Sequence, residues 1–295
     1  MNYEFPDEEN KAEQAPIDLE FSVHQRKNEV GKEMQDGHFI DDIDEDSQFF
    51  AVMDGFGPLG AKAVEAVKDE LNELTPDLSK PSDQKNAEIQ MERILSAANL
   101  AVIQGGAGKD QESGSTLVMV RLWKDKEKAM LTASWIGDSR IYLLRDGKIR
   151  CVSLDDGLLT HISIKKGGKE LARKKQEILN NANSEKDIED DTDLLIGHHR
   201  GNILDTALGA NAINPTQRCE TLELQEGDKI LLCSDGVSDN LTDKEIEEKL
   251  NQSDTTDQIG QNLLDQSAKN QADQSRFKRK SYIDDMKLIV IRVAP

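Results

Sequence analysis

Two near-identical breaks constrain this chain more than anything else in it. The apolar run FFAVM stops at Asp54-Gly55, and the run KILLCS stops at Asp235-Gly236; each is a strand-length segment closed by a turn pair. A stretch from Leu19 to Val23 and the segment GHFI behind Asp36 read as further strands. From Gly60, AKAVEAVKDELNEL repeats its apolar residues at i, i+3, i+4 and i+7, which predicts an amphipathic helix. TPDLSKPSDQK breaks it with two prolines, and residues 87–104 predict a second helix, closed by Gly105-Gly106. From Ser115 the period becomes strand-like. STLVMVRLW, AMLTASWIG, SRIYLLRDG and IRCVSL, joined by short Asp/Lys/Gly turns, predict an antiparallel meander. Two strands around Glu226-Gly227, helices over 242–250 and 255–269, and the strand in DDMKLIVIRV complete the order.

Strands, two helices, strands, two helices, strand: this order predicts an α+β fold with mostly antiparallel sheets rather than a βαβ parallel fold. The helix pairs then cover the outer faces of a two-sheet core. A chain of 295 residues, 36% of them hydrophobic, is long enough to build such a core, since chains of this size bury about three-quarters of their unfolded surface. Residues 1–16 are acidic and patternless and read as a solvated tail, leaving 17–295 as one domain. Within it, residues 157–200 lose regularity: a basic helical piece, KKGGKELARKKQEIL, precedes the acidic NNANSEKDIEDDTD. A weakly structured insertion of that length is usually functional or mobile.

Fifty-seven acids against 37 bases give a net charge of -20. That argues against a nucleic-acid binder, which needs a positive surface, and it disfavours anionic membranes. Cys151, Cys219 and Cys233 form neither a disulfide framework nor a zinc spacing. The start, MNYEFPDEEN, lacks the basic and apolar regions of a secretory signal. No apolar stretch nears the roughly 20 residues that span a bilayer. The expectation is a soluble cytoplasmic protein.

Asp36, Asp54, Asp138, Asp235 and Asp284 share one context, each at or beside the end of an apolar strand. Carboxylates with water and a backbone carbonyl suit hard cations, Mg²⁺ or Mn²⁺, rather than zinc. Converging acids also repel, so either cations bind or some carboxyls take up protons. Two ions about 3.5–4 Å apart would polarise phosphoryl oxygens and activate a water for in-line attack. Asp-Gly is an ordinary turn, and acids abound in so acidic a chain. Two Asp-Gly pairs after near-identical strands, with Asp-Asp opening a third, stand out from that background.

FFAVMDGFG, SGSTLVMV, SWIGDSRIYLLRDGKI, HHRGNILDTALG, GDKILLCSDGVSDNLTDKEI and DDMKLIVIRV follow the order and spacing of the metal-dependent PPM/PP2C protein phosphatases, and the chain over about 19–295 resembles their bacterial branch. The resemblance implies a four-layer α-β-β-α sandwich, two Mn²⁺ or Mg²⁺ ions with a possible third, and hydrolysis of phosphoserine and phosphothreonine in a phosphorylated protein substrate. Carried over by position, Asp54 bridges both metals and Gly55 ligates one through its carbonyl. Asp235 and Asp284 complete one metal's shell, and Asp138 helps hold the third. Asp36 is the last acid of a motif written here as Met34-Gln35-Asp36. Asp36, Asp54 and Asp235 are thus the expected catalytic residues, and 157–200 corresponds to the family's flap.

The chain also departs from the pattern. Phe56 stands where eukaryotic members carry a general-acid His, as bacterial members also do without it, and Pro58 replaces a glycine whose loop it could shift. The expected phosphate-binding Arg is missing, with Gly31 or Lys32 near its position. Lys32 or Arg26 is a candidate substitute, although lysine lacks the bidentate fork. The cluster Arg276, Lys278, Arg279 and Lys280 could supply positive charge beside the cleft, with Arg279 the chief candidate for contacting substrate. These departures motivate a second reading, a pseudophosphatase that binds phosphoproteins or regulates without turnover. A third, an aspartyl-nucleophile phosphotransferase at Asp54, typically needs an Asp where Phe56 stands. GGAGK over 105–109 lacks the first Gly and the final Ser/Thr of a phosphate loop. His198-His199, read on a strand, point apart. His161 reads as a lone surface histidine, and Cys151 and Cys233 as buried strand residues.

Overall fold

The structure, a computed structural model, describes residues 17–27, 33–107, 112–200, 203–209, 213, 218–253, 255–273, 275–277 and 284–294. In chain order these contain β1 (Leu19–Arg26), β2 (Asp36–Asp44), β3 (Ser47–Phe56), α1 (Gly60–Leu74), α2 (Gln84–Gln104), β4 (Gly114–Ser115), β5 (Leu117–Asp125), β6 (Lys128–Ile136), β7 (Arg140–Arg145) and β8 (Lys148–Cys151). There follow α3 (Leu158–Asn181), α4 (Thr192–His199), β9 (Cys219–Glu223), β10 (Lys229–Cys233), α5 (Asp235–Ser238), α6 (Asp243–Asn251), α7 (Thr256–Ala272) and β11 (Met286–Val293). The acidic tail, 1–16, lies outside the described residues.

The strands form two antiparallel sheets, ordered β1-β11-β10-β7-β8 and β2-β3-β5-β6-β9, with β4 pairing onto β3. Three apolar layers hold them in the expected four-layer α-β-β-α sandwich. Phe50, Val52, Val118 and Val120 meet Ile230, Leu232, Ile289 and Ile291 between the sheets. On the opposite faces, Phe49, Ala51 and Met53 pack on Val64, Val67 and Leu95 of α1 and α2, and Leu231, Leu288 and Val290 on Ile246, Ile259 and Leu263 of α6 and α7. A strand buried on both faces has no polar alternation to display, which is why FFAVM and KILLC are continuous apolar runs. Burying each large apolar side chain contributes about 1.5–3 kcal/mol. Caps fix the helix starts: Asp83 accepts from the Asn86 amide before α2, and Thr242 and Glu245 form a reciprocal capping box before α6.

The predicted meander is corrected. Its strands form two hairpins in different sheets: β5 pairs with β6 and β7 with β8, and the chain changes sheet at Gly137-Asp138. Gly137 has φ +97°, and a Cβ there would stand 2.6 Å from the Thr116 side chain, so the crossing needs glycine. The strands around Glu226-Gly227 also separate, β9 into one sheet and β10 into the other. A crossing of this length looks like a hairpin turn in sequence.

The 157–200 insertion is likewise better ordered than its composition predicts. Within α3 the helix breaks at Gly167-Gly168, and α4 starts on an Asp191 cap. The Lys175 ammonium joins Asp191 (3.0 Å) to Asp193 (2.6 Å), and Lys166 also binds Asp193. Ala172 of α3 reaches the inter-sheet core. His198 and His199 thus sit on a helix, not a strand, and the His198 ring stacks on Phe277 with centroids 4.1 Å apart.

A buried polar network ties this insertion to the sandwich. Arg140 makes a two-pronged ion pair with Asp155 (3.0 and 2.9 Å) and donates to the Tyr142 hydroxyl. Tyr142 donates to Asp243 at the start of α6, and Asn180 of α3 donates to the other Asp243 oxygen. Burial holds the Asp243 carboxyl above the ordinary carboxylate range, against the pull of Arg140. A carboxyl raised in the folded state contributes stability at low pH that is lost as pH climbs from the unfolded value through the folded one. Asp243→Asn should therefore gain stability relative to the wild type as pH rises from 4 to 7. Denaturant midpoints at several pH values check this; a gap that stays constant rejects it.

Candidate metal centre

Period-two alternation builds the site. Phe50 and Val52 of β3 face the opposite sheet, so Asp54 faces it too. Asp36 is its register partner on β2, which brings two carboxylates to the same face of one sheet. From the other sheet, Ile230 and Leu232 set the inner face of β10, which Ser234 continues. Ile289 does the same for β11, which Lys287 and Asp285 continue. The open end of the inter-sheet core is therefore a polar array drawn from both sheets.

Hydrogen bonds fix its members. Ser234 Oγ donates to Asp36 Oδ2 (2.8 Å) and accepts from the Lys287 amide (3.0 Å). Asp285 Oδ2 accepts from the Gln35 amide (3.0 Å), and the Gln35 carbonyl accepts from Gly55 N (3.1 Å). Thr116 Oγ1 accepts from the Asp54 amide (3.1 Å) and shares a 2.7 Å bond with Ser139 Oγ. Burial pushes the Asp36 carboxyl well above its ordinary range. Asp54, Asp284 and Asp285 push it the same way, and the Ser234 hydroxyl opposes them. Two glycines permit the close approaches. A Cβ on Gly55 would stand 2.4 Å from the Gly60 carbonyl oxygen, and one on Gly236 1.8 Å from that of Asp285. The second contact seats the Asp235-Gly236 turn directly on the start of β11.

Of the five predicted acids, Asp36 and Asp54 are paired in register, Asp284 acts on Asp36, and Asp235 is buried where α5 meets the Asp285 backbone. Asp138 is buried in the crossing turn between Gly137, which lies against Thr116, and Ser139, whose hydroxyl bonds the Thr116 Oγ1 that accepts from the Asp54 amide. Among the described residues, no three His, Cys, Asp or Glu side chains stand close enough together to hold one ion. The donors are nonetheless all oxygen, carboxylates and the Gly55 carbonyl, which fits Mg²⁺ or Mn²⁺ and does not fit zinc.

Asp285, Ser234 and Thr116 were missed by sequence reasoning. Only the doubled acid Asp284-Asp285 carried a signal; buried hydroxyls look like any Ser or Thr. Pro58 proves compatible with its loop: the Gly57 carbonyl accepts from the Gly60 amide (3.2 Å), a turn in which Pro58 takes the favoured second position. Arg276 is engaged by Glu245 through two 2.9 Å contacts, so its charge is already answered. Arg26 pairs with Asp265. His161 has a partner, Asp205, at 3.0 Å. Lys32, Arg279, Gly31, Lys278 and Lys280 lie outside the described residues. Burial pushes the Cys151 and Cys219 thiols up to about 12 and the Cys233 thiol higher still, so none is an activated nucleophile.

A two-sheet sandwich between helix layers, with acids gathered at one end of the inter-sheet core, defines the PPM class of architecture. The chain belongs to the protein phosphatase 2C family, whose model matches residues 24–275. No curated protein sequence matches it significantly. Among solved structures it is similar to the serine/threonine phosphatase Stp1 from Staphylococcus aureus, at 20% identity and TM-score 0.71, over 96% of this chain and 98% of that one. It is also similar to the Mycobacterium tuberculosis serine/threonine phosphatase PstP/Ppp, at 20% identity and TM-score 0.66, over 94% and 99%. The catalytic domain of PstP in complex with two manganese ions matches at 21% identity and TM-score 0.65, over 94% and 99%. No helix among the described residues is long and apolar enough to cross a membrane.

Because burial and three neighbouring acids all disfavour its charge, Asp36 is a liability when no cation is present. In chelator at neutral pH, Asp36→Asn, which can still accept from Ser234, should melt at a higher temperature than the wild type. A lower melting temperature would contradict the crowded-acid description.

Proposed function

We propose that this protein hydrolyses phosphoserine and phosphothreonine in proteins with the help of two Mn²⁺ or Mg²⁺ ions. The observation that carries this reading is the register pairing of buried Asp36 with Asp54, with Asp284 and Asp285 in electrostatic reach of Asp36, at the open end of a PP2C-family core. Asp54, Asp235, Asp284 and the Gly55 carbonyl are the proposed ligands, with Asp138 for a third ion. When bound, such ions polarise the phosphoryl group and lower the pKa of water so that it can attack phosphorus. The chain's own work is positioning. Ser234 aims Asp36, Thr116 holds the Asp54 backbone, and the Gln35 side chain binds the Gly57 carbonyl (3.0 Å) to steady the following loop. Phe56 supplies no proton. Lys32 and Arg279 remain the proposed contacts to substrate phosphate or peptide. Three free cysteines and an acidic composition agree with a cytoplasmic site of action.

The spacing of the acids, none of them grouped in threes at ligating distance among the described residues, favours one alternative: a pseudophosphatase that binds phosphoproteins without turnover. Hydrolysis of an aryl phosphate and of a phosphopeptide, with and without Mn²⁺, separates the two. Manganese-dependent turnover is expected, and Asp235→Asn should lower it by at least ~10²-fold, since even partners that merely orient ligands cost about 10–100-fold. Manganese binding with no turnover on either substrate would sink the hydrolase and leave the binding module.

A further inference from the structure

Lys287 is 2% exposed, on the inner face of β11 one register position from the acid array. Its ammonium donates to Gln25 Oε1 on the neighbouring strand and to His38 Nδ1 (3.2 Å). Neither partner is negative. A ring nitrogen that accepts from an ammonium carries no proton of its own. Burial, together with the nearby charges of Lys287 and Lys68, pushes His38 down to about 4, so it stays neutral at physiological pH. Among the described residues no carboxylate stands within ion-pairing distance of Lys287. Burial lowers its ammonium to about 8, Lys68 adds to that, and Asp36 is the group that opposes them, leaving Lys287 charged at neutral pH. The two are joined through a single hydroxyl: the Lys287 amide donates to Ser234 Oγ, which donates to Asp36.

A buried ammonium without a carboxylate partner is costly. What offsets the cost here is Asp36, two residues from His38 on the same face of β2 and at the edge of the acid array. We propose that Lys287 is a resident counter-charge of this acid array, and that it sets how tightly the array takes a metal ion and which ionic charge it prefers. This rests on the reading of the array as a metal centre. Lys287 and an incoming cation are like charges across a poorly screened interior, so the lysine weakens binding. The penalty grows with the charge of the ion, because the Coulomb energy is proportional to it.

The test uses the full chain stripped with chelator, with Mn²⁺ affinity measured by calorimetry and Tb³⁺ affinity by luminescence. Lys287→Gln keeps a donor for His38 but loses the charge; Lys287→Met loses both. The expected result is that Mn²⁺ binds roughly fivefold tighter or more in the variants, and that Tb³⁺ gains by a larger factor than Mn²⁺. Equal gains for the two ions would mark a structural disturbance and overturn the counter-charge role. Unchanged or weaker Mn²⁺ binding in the variants, with normal binding by the wild type, would overturn the proposal alone. Failure of the wild type to bind either ion would overturn it together with the metal-centre reading. Should Lys287→Met not fold, Lys287→Gln decides.

Discussion

Two sheets share one apolar interior, and everything else in the molecule depends on that contact. Phe50, Val52, Leu232 and Ile289 meet there with no exposed surface. Because side chains alternate along a strand, the same registers that bury these residues aim Asp36, Asp54, Ser234, Asp285 and Lys287 toward one another at the core's end. Shifting either β2 or β11 by one residue would turn its polar member onto the helix-facing side, where α1 or α7 already packs. The hydrophobic core thus acts as the positioning device for a set of acids that would otherwise repel one another apart.

Holding such charges together costs stability, and the structure spreads that cost over several groups. The Ser234 hydroxyl bonds to Asp36, the Gln35 amide to Asp285, and Thr116 takes up the Asp54 amide. The first two bonds tie a carboxylate to the opposite sheet, and the third ties the Asp54 backbone to the neighbouring strands of its own sheet. The glycines at 55 and 236 bring backbone against backbone where any side chain would force the acids apart. Function and fold therefore compete at this end of the core, as expected where strain and charge are tolerated for chemistry.

Much of this was legible in the amino-acid sequence. The continuous apolar runs ending at Asp54 and Asp235 announce buried strands, and the i, i+3, i+4 pattern after Gly60 announces the helix that covers them. The split of the 115–152 strands between two sheets was not legible, because Gly137-Asp138 reads as an ordinary turn. The order within 157–200 was hidden as well. Its charges looked like those of a solvated segment, yet Lys166 and Lys175 are spent on Asp191 and Asp193 inside the fold. At the site, strand ends pointed to the acids, while Ser234, Thr116 and Lys287 carry no local pattern: their roles come from partners up to 262 positions away, as for Gln25 with Lys287.

The stacking of His198 on Phe277 joins two regions that the sandwich keeps separate. Phe277 precedes Asp284 by only a few residues, and His198 sits at the far end of the helical excursion. The excursion is thereby tied to the segment that leads into the last strand's acids. A substitution on α4 that removes the imidazole ring would free Phe277 without altering a single residue of either sheet.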